Sequence, residues 1–385
     1  MPSKLPPSPC RSILSAARRV AAAAIVALAA CGPAAASGKG GAKPFEVPIY
    51  HTDIGGTRHF LVYVGIDGGV PKPYLLDTGS PNMFATYGAW WPGRTTLEPG
   101  RGKHKIKFAS GLVYHYDVVK ADVALGARDG RVMARAENVA IARITRVDSQ
   151  TPRQSFEAWK RRDRAGRPPF SDGTYGNFGA ALHGSSTLAT VVAQVRLPPG
   201  LKNGFVVRSG GRNATRGKLV IGLTPAMIAS FPWRMAMAPN GNLLPNPDGN
   251  AHPVEAYQKA QVTTTVVRLK RGRDSFVKTI PTVFDTGGGD STWIYDVDIP
   301  PAFVTGGAAY GPARPGVSFS LENGGSEILA YAAGDEPASD QLSFSTGSDY
   351  PRVNPGILMF YTWDVMFDLE DGLLGLRPAG RWNEE

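Results

Sequence analysis

The most informative pattern along the chain is an apolar run, a tight turn and a second apolar run, and it occurs twice. From His59 to Gly65 the sequence reads as a strand and Asp67-Gly68-Gly69 as a turn, and a second strand then runs into Asp77. From Val262 to Leu269 it reads as a strand again and Arg271-Gly272-Arg273-Asp274 as a turn, with a second strand running into Asp285. Both hairpins end on the same tripeptide, in Tyr74-Leu75-Leu76-Asp77-Thr78-Gly79-Ser80 and in Thr282-Val283-Phe284-Asp285-Thr286-Gly287-Gly288. One such tripeptide is a strand-ending turn, because Asp and Gly are turn residues. Two copies, each behind an apolar strand and a hairpin, read as an internal repeat.

Composition narrows the architecture. The chain has 385 residues, 42% of them hydrophobic and 19% charged, with 46 Gly and 32 Pro. That length exceeds a comfortable single core and calls for one large or two medium lobes. Abundant Gly and Pro with scattered Val, Thr, Tyr and Phe predict short strands and many turns, an all-β fold. Cys10 and Cys31 are the only cysteines. A disulfide scaffold, a Cys-ligated zinc site, an iron–sulfur cluster and a cysteine nucleophile in the body are thereby excluded.

Cys10 falls within an expected N-terminal export signal, and Cys31 directly follows it. Lys4, Arg11, Arg18 and Arg19 make a positive region ahead of the apolar stretch Val20 to Ala30, which is too short to span a bilayer. Leu28-Ala29-Ala30-Cys31 matches a bacterial lipobox, with Cys31 as the lipid attachment point and 1–30 as the signal. Ala34-Ala35-Ala36 offers an alternative cleavage after residue 36, which would give a secreted protein. The cysteine at the one position a lipobox requires favours a lipoprotein on the periplasmic side of a bacterial membrane. Removing the signal's four cations leaves 38 basic against 32 acidic residues, taking the net charge from +10 to +6. The run Lys160-Arg161-Arg162-Asp163-Arg164 reads as a solvated loop, and no interleaving of aromatic and basic residues suggests nucleic-acid binding.

The duplicated motif carries the chemistry. Two carboxylates held close together share one proton, and their apparent pKa values split. With a water between them, one acts as general base toward the water, and the other, protonated, donates to a carbonyl oxygen. Glycine after Asp-Thr lets backbone N–H groups approach the carboxylates without an intervening Cβ, and the threonine hydroxyl can bond across to the opposite loop. Asp77 and Asp285 are the catalytic candidates, supported by Thr78, Gly79, Ser80, Thr286 and Gly287.

On these residues the chain resembles the pepsin-like, two-lobed aspartic proteases, specifically their bacterial members. The resemblance implies an all-β bilobal fold around a central cleft, with 31–46 as linker, 47–208 as N-terminal lobe and 209–385 as C-terminal lobe. It implies an endopeptidase that acts on peptides or unfolded proteins as a monomer, with no cofactor or metal. The family's flap, a hairpin over the dyad, is matched by Ile106-Lys107-Phe108-Ala109-Ser110-Gly111 and the returning stretch Tyr116 to Gly126. Phe108 is the expected flap contact, with Tyr114 and Tyr116 as alternatives. The family's apolar-apolar-Gly segment behind each motif is matched by Asn177-Phe178-Gly179 and, for the second lobe, by Ile357-Leu358-Met359. Leu201 to Gly222 resembles the stretch crossing between lobes, and Gly356 to Leu376 the last strands.

Four departures stand out. Phe84 replaces the family's tryptophan and Phe108 its flap tyrosine, so both polar handles are lost together. Gly288 replaces a hydroxyl residue that would donate to the second carboxylate, which predicts a raised dyad pKa and a less acidic optimum. Met359 in place of glycine predicts looser support in the C-terminal lobe. Only Ser37 to Pro48 separates the signal from the first strand, so no zymogen activation is expected. The stretch Pro300 to Tyr350 matches the family weakly and receives no assignment.

Other chemistries fit less well. The histidines His51, His59, His104, His115, His183 and His252 lack zinc-protease spacing, and no Gly-x-Ser-x-Gly elbow occurs. A second reading of another class is a catalytically weak member of the fold that binds peptides or envelope glycans, motivated by Gly288, the altered flap pair and Met359. An envelope structural protein rests on the lipobox alone.

Overall fold

The computed structural model describes residues 41–380, apart from 55, 89–90, 93–95, 98–103, 109–110, 150–154, 171, 185–187, 246–253, 308–309, 335–340 and 347–349. Cys31 and both cleavage sites lie outside the described residues. Among those described, no helix is long and apolar enough to cross a membrane.

The first motif hairpin forms where the pattern places it. Thr57–Ile66 pairs antiparallel with Lys72–Asp77, in the register Leu61 to Leu75 and Val62 to Tyr74. Asp67 and Gly68 both take positive φ, 46° and 77°, which closes the turn with the twist of its strands. The second hairpin pairs Val266–Arg271 with Asp274–Thr279, but its second strand does not run into Asp285. Pro281 has no N–H to donate to a ladder. Beyond it, Thr282 makes only isolated bridges, antiparallel to Val262 and parallel to Val353.

A fourteen-stranded sheet spans both halves of the chain. Phe45–Ile54 pairs on one side with Thr57–Ile66 and on the other with Arg216–Leu223. From Arg216–Leu223 the sheet continues through Lys202–Arg208 to the C-terminal strands Trp363–Asp368 and Leu373–Pro378. Trp363–Asp368 is buried at all six positions. One face meets the main core through Val365 and Phe367, and the other meets Val206, Val220 and Phe231 through Met366. A strand covered on both faces is apolar through its middle, as Val365-Met366-Phe367 is here, while the buried Asp364 is paired with Arg377. The stretch without assignment, 300–350, supplies Tyr310–Pro312, Ser318–Asn323, Ser326–Ala332 and Gln341–Ser345 to two four-stranded sheets.

The basic run is not a loop. Phe156–Arg164 is a helix whose N-cap Ser155 accepts from the Ala158 N–H at 3.3 Å. Glu157 stands in its first turn, and Arg161, Arg162 and Arg164 stand in its last, the arrangement that the helix dipole favours.

Candidate active site

The two Asp-Thr-Gly loops meet at the centre of the molecule through a reciprocal set of hydrogen bonds. The Thr78 N–H donates to Thr286 Oγ1 at 3.1 Å, and the Thr286 N–H donates to Thr78 Oγ1 at 2.9 Å. Each hydroxyl then donates onward, Thr78 to the Phe284 carbonyl and Thr286 to the Leu76 carbonyl, both at 2.6 Å. Both threonines are fully buried, so every partner in this lock is needed.

The glycines serve both carboxylates. The Gly79 N–H donates to Asp77 Oδ1 at 3.0 Å and the Gly287 N–H to Asp285 Oδ1 at 2.7 Å. Each glycine also lies against the opposite carboxyl. A Cβ on Gly79 would stand 2.3 Å from Asp285 Cγ, and one on Gly287 2.6 Å from Asp77 Cγ. The two carboxyls thus face each other across the loop glycines, and sharing a proton with Asp77 is one of the effects that hold the Asp285 pKa up. Burial first, and the Asp77 charge second, push Asp285 from 3.8 up to about 7, although the amide of Asn354 and the Gly287 N–H oppose the shift. Asp285 keeps part of its surface accessible. The pair therefore retains one shared proton well above the usual carboxylate range.

Ser80 is held through its backbone: its N–H donates to the Asp77 carbonyl at 3.4 Å and its carbonyl accepts from Ala181 at 2.9 Å. The outer carboxylate oxygens are reached instead by two asparagines. Asn177 Nδ2 donates to Asp77 Oδ2 at 3.1 Å, and Asn354 Nδ2 donates to Asp285 Oδ2 at 2.7 Å. Asn177 lies on Gly176–Gly179, parallel to Lys72–Asp77, with Leu75 opposite Asn177 and Asp77 opposite Gly179. Asn354 ends Arg352–Asn354, which reaches the second motif through the Thr282–Val353 bridge. The strands after the motifs, Met83–Thr86 and Ser291–Tyr295, set Phe84 opposite Asn177 and Trp293 opposite Asn354.

Two expectations are corrected here. The glycine-ended segment behind the second motif is Asn354-Pro355-Gly356, not Ile357-Leu358-Met359. Gly356 has φ +58°, and a Cβ there would lie 2.1 Å from the Gly289 carbonyl oxygen. Met359 is a buried residue of the short helix Leu358–Thr362 and loosens nothing. Gly288 does not cost Asp285 a donor, because a Cβ at 288 would fall 2.8 Å from Asn354 Oδ1, in the space the donating amide fills. Asn-x-Gly recurs at 177–179 and 354–356, a second repeat visible in the sequence itself.

The flap hairpin pairs His104–Lys107 with the start of Val113–Gly126. Gly111 turns its tip with φ +83° and donates to the Phe108 carbonyl at 3.0 Å. Ala109 and Ser110 lie outside the described residues. Phe108 is half-buried, 5.7 Å from the Phe84 ring and 4.7 Å from Tyr114, and Phe84 also meets Tyr114 and Tyr116 edge-on. Phe84 and Tyr114 are buried, so these rings form the apolar floor under the flap. Burial raises the Tyr114 hydroxyl far above its ordinary value, with the Asp172 and Asp77 charges adding to the shift. A cavity of about 750 Å³ lined by Phe45, Met133, Arg135, Gln194 and Arg196 includes neither aspartate.

Fold and site together define a class: the chain has the bilobal, pepsin-like acid protease fold. It is similar to the crystal structure of the aspartic proteinase from Irpex lacteus, with a TM-score of 0.50 over 88% of this chain and 99% of that one, at 13% identity. At that identity the likeness concerns the fold alone. No family model matches the sequence, and no curated protein does.

Proposed function

We propose that this chain is an exported aspartic endopeptidase, which hydrolyses peptide bonds with a water activated between Asp77 and Asp285. The observation that carries the proposal is the pair of carboxyls, each set against the glycine of the opposite loop, on two loops locked by reciprocal threonine bonds. The ionised carboxylate takes a proton from the water as its oxygen adds to the scissile carbonyl carbon. The protonated partner gives its proton to the carbonyl oxygen, neutralising the charge that develops there. Collapse of the tetrahedral intermediate breaks the C–N bond: the proton taken from the water passes to the leaving nitrogen, and the other carboxylate takes the proton of a hydroxyl of the intermediate, which restores the dyad. The reading keeps peptides or unfolded proteins as substrates and invokes no cofactor. Two features that motivated the weak-binder reading lose their force. Gly288 leaves room for the Asn354 amide, and Met359 is packed within Leu358–Thr362.

Incubation of the purified protein with a denatured protein tests this directly. Cleavage blocked by a statin-type transition-state mimic, and reduced at least ~10²-fold in Asp77→Asn, is expected. Absence of cleavage from about pH 3 to 7 would remove the proposal. The export route we propose is lipidation at Cys31. Incorporation of labelled fatty acid that is lost in Cys31→Ser supports it, and an unlabelled protein beginning at Ser37 favours secretion instead.

A further inference from the structure

We propose that Asn177 and Asn354 are a matched pair of positioning residues, whose amides hold the charged form of the dyad from its two outer sides, and that Gly288 is a glycine in order to admit Asn354. The inference rests on the peptidase reading for its consequence in catalysis, but not for its geometry. Each asparagine occupies the same place relative to its own motif. Each donates Nδ2 to the Oδ2 of its aspartate, while the loop glycine takes Oδ1. Both carboxylates therefore receive one amide from a loop and one from the strand behind it.

Asn354 is a donor that cannot reverse. Its Oδ1 accepts from the Gly356 N–H at 2.9 Å, so the amide orientation is fixed and only the NH₂ can face Asp285. A hydroxyl at this place could rotate and accept a proton from a protonated carboxyl; a pinned amide can only donate, and so favours ionisation alone. It opposes the two effects that raise Asp285, burial and the Asp77 charge. The other ionisable groups around the dyad act at longer range. Tyr114 with Asp172 faces Asp77 from the flap side. Tyr295 with Arg352 faces Asp285 from the second lobe, and His59 lies beside Gly289 and near Asp290.

The space at 288 makes the pairing testable by exchange. A Cβ there meets Asn354 Oδ1 at 2.8 Å and the Gly356 Cα at 3.0 Å, so a serine at 288 can deliver its hydroxyl to that spot only when residue 354 is cut back and the Gly356 backbone yields slightly. We expect Asn354→Ala to shift the pH midpoint of the dyad upward by roughly one unit, and Asn177→Ala to shift it in the same direction by less. Gly288→Ser combined with Asn354→Ala should return the midpoint toward that of the parent, whereas Gly288→Ser alone should destabilise. The midpoint is read in two ways: from the pH dependence of thermal unfolding, which needs no substrate, and from the pH–rate profile of cleavage. Failure of cleavage in every variant and in the parent would overturn the peptidase reading, while the unfolding arm would still judge the asparagines. Midpoints unmoved in both single variants, or an equal loss of stability at every pH without rescue by Gly288→Ser, would overturn the proposal.

Discussion

At the scale of single residues, the site is defined by what each carboxylate oxygen accepts and by what its neighbours lack. Gly79 and Gly287 have no room for a methyl group, and the obstacle is a carboxyl group rather than a flexible chain end. Gly79→Ala should therefore push Asp285 away from Asp77, lowering stability by ~1–3 kcal/mol and cleavage by far more. Unfolding and kinetics on one preparation separate the two effects. The dyad also sets a pH dependence of known sign. Asp285 is raised from 3.8 to about 7, so between those values the folded protein holds a proton that the unfolded chain has released. The dyad's contribution to stability is fullest below 3.8 and falls as pH rises through that window, by up to ~1.4 kcal/mol per pH unit, while the buried His51 and His183, lowered to about 4, contribute slopes of the opposite sign. In Asp285→Asn the dyad's slope should vanish. An offset in absolute stability is expected as well, because the new amide faces the donors of Asn354 and Gly287. A pH dependence of stability identical in the parent and in Asp285→Asn would place the titrating proton elsewhere.

At the scale of elements, the flap depends on aromatic packing. Phe108→Ala removes a half-buried ring from Phe84 and Tyr114, and should cost ~1–3 kcal/mol with faster amide exchange in His104–Lys107 and a raised KM. Unchanged exchange in that strand would show the flap to be held from elsewhere. The same scale shows what the sequence discloses. The first motif hairpin, the flap and the C-terminal strands are legible because pattern, turn residues and burial agree there. The second hairpin is legible only as far as Thr279, since Pro281 breaks a ladder that the apolar run would otherwise continue. The segment behind the second motif escapes an apolar pattern because Asn354-Pro355-Gly356 is not apolar, although its glycine and its asparagine repeat those at 177–179. The hairpin of Ser318–Asn323 with Ser326–Ala332 lies where the family resemblance is weak. Its local signal is nevertheless clear, because Gly324 and Gly325, at φ 58° and 79°, form a two-glycine turn of the kind that joins such strands. The helix at Phe156–Arg164 is hidden by its charges, which hold its ends but resemble a solvated run.

At the scale of the whole molecule, the lobes are not independent, because the strands that complete the shared sheet come from both ends of the chain. Phe45–Ile54 requires Arg216–Leu223, and Lys202–Arg208 requires Trp363–Asp368. The two Asp-Thr-Gly loops add a second tie. Asp290, buried just beyond the second motif, accepts from the Arg58 N–H of the first lobe and from the Tyr361 hydroxyl, each at 3.0 Å. Near the chain's end, buried Asp364 meets Arg377 at 2.7 Å and Arg208 at 3.7 Å, joining the C-terminal strands to the crossing stretch. A dyad built from one residue of each lobe demands this coupling, since a small rotation of either half would separate the carboxyls. The body should therefore unfold in one transition, with the fluorescence of Trp159 in the first lobe and Trp293 in the second, each observed as the single tryptophan left when the other six of the chain's seven are replaced by Phe, giving coincident denaturant midpoints. Asp290→Ala leaves two donors facing a void and should lower both midpoints together, by ~2–3 kcal/mol. Two separated transitions, or a shift confined to one tryptophan, would mean that the lobes fold as independent units and that the dyad is assembled only by their docking.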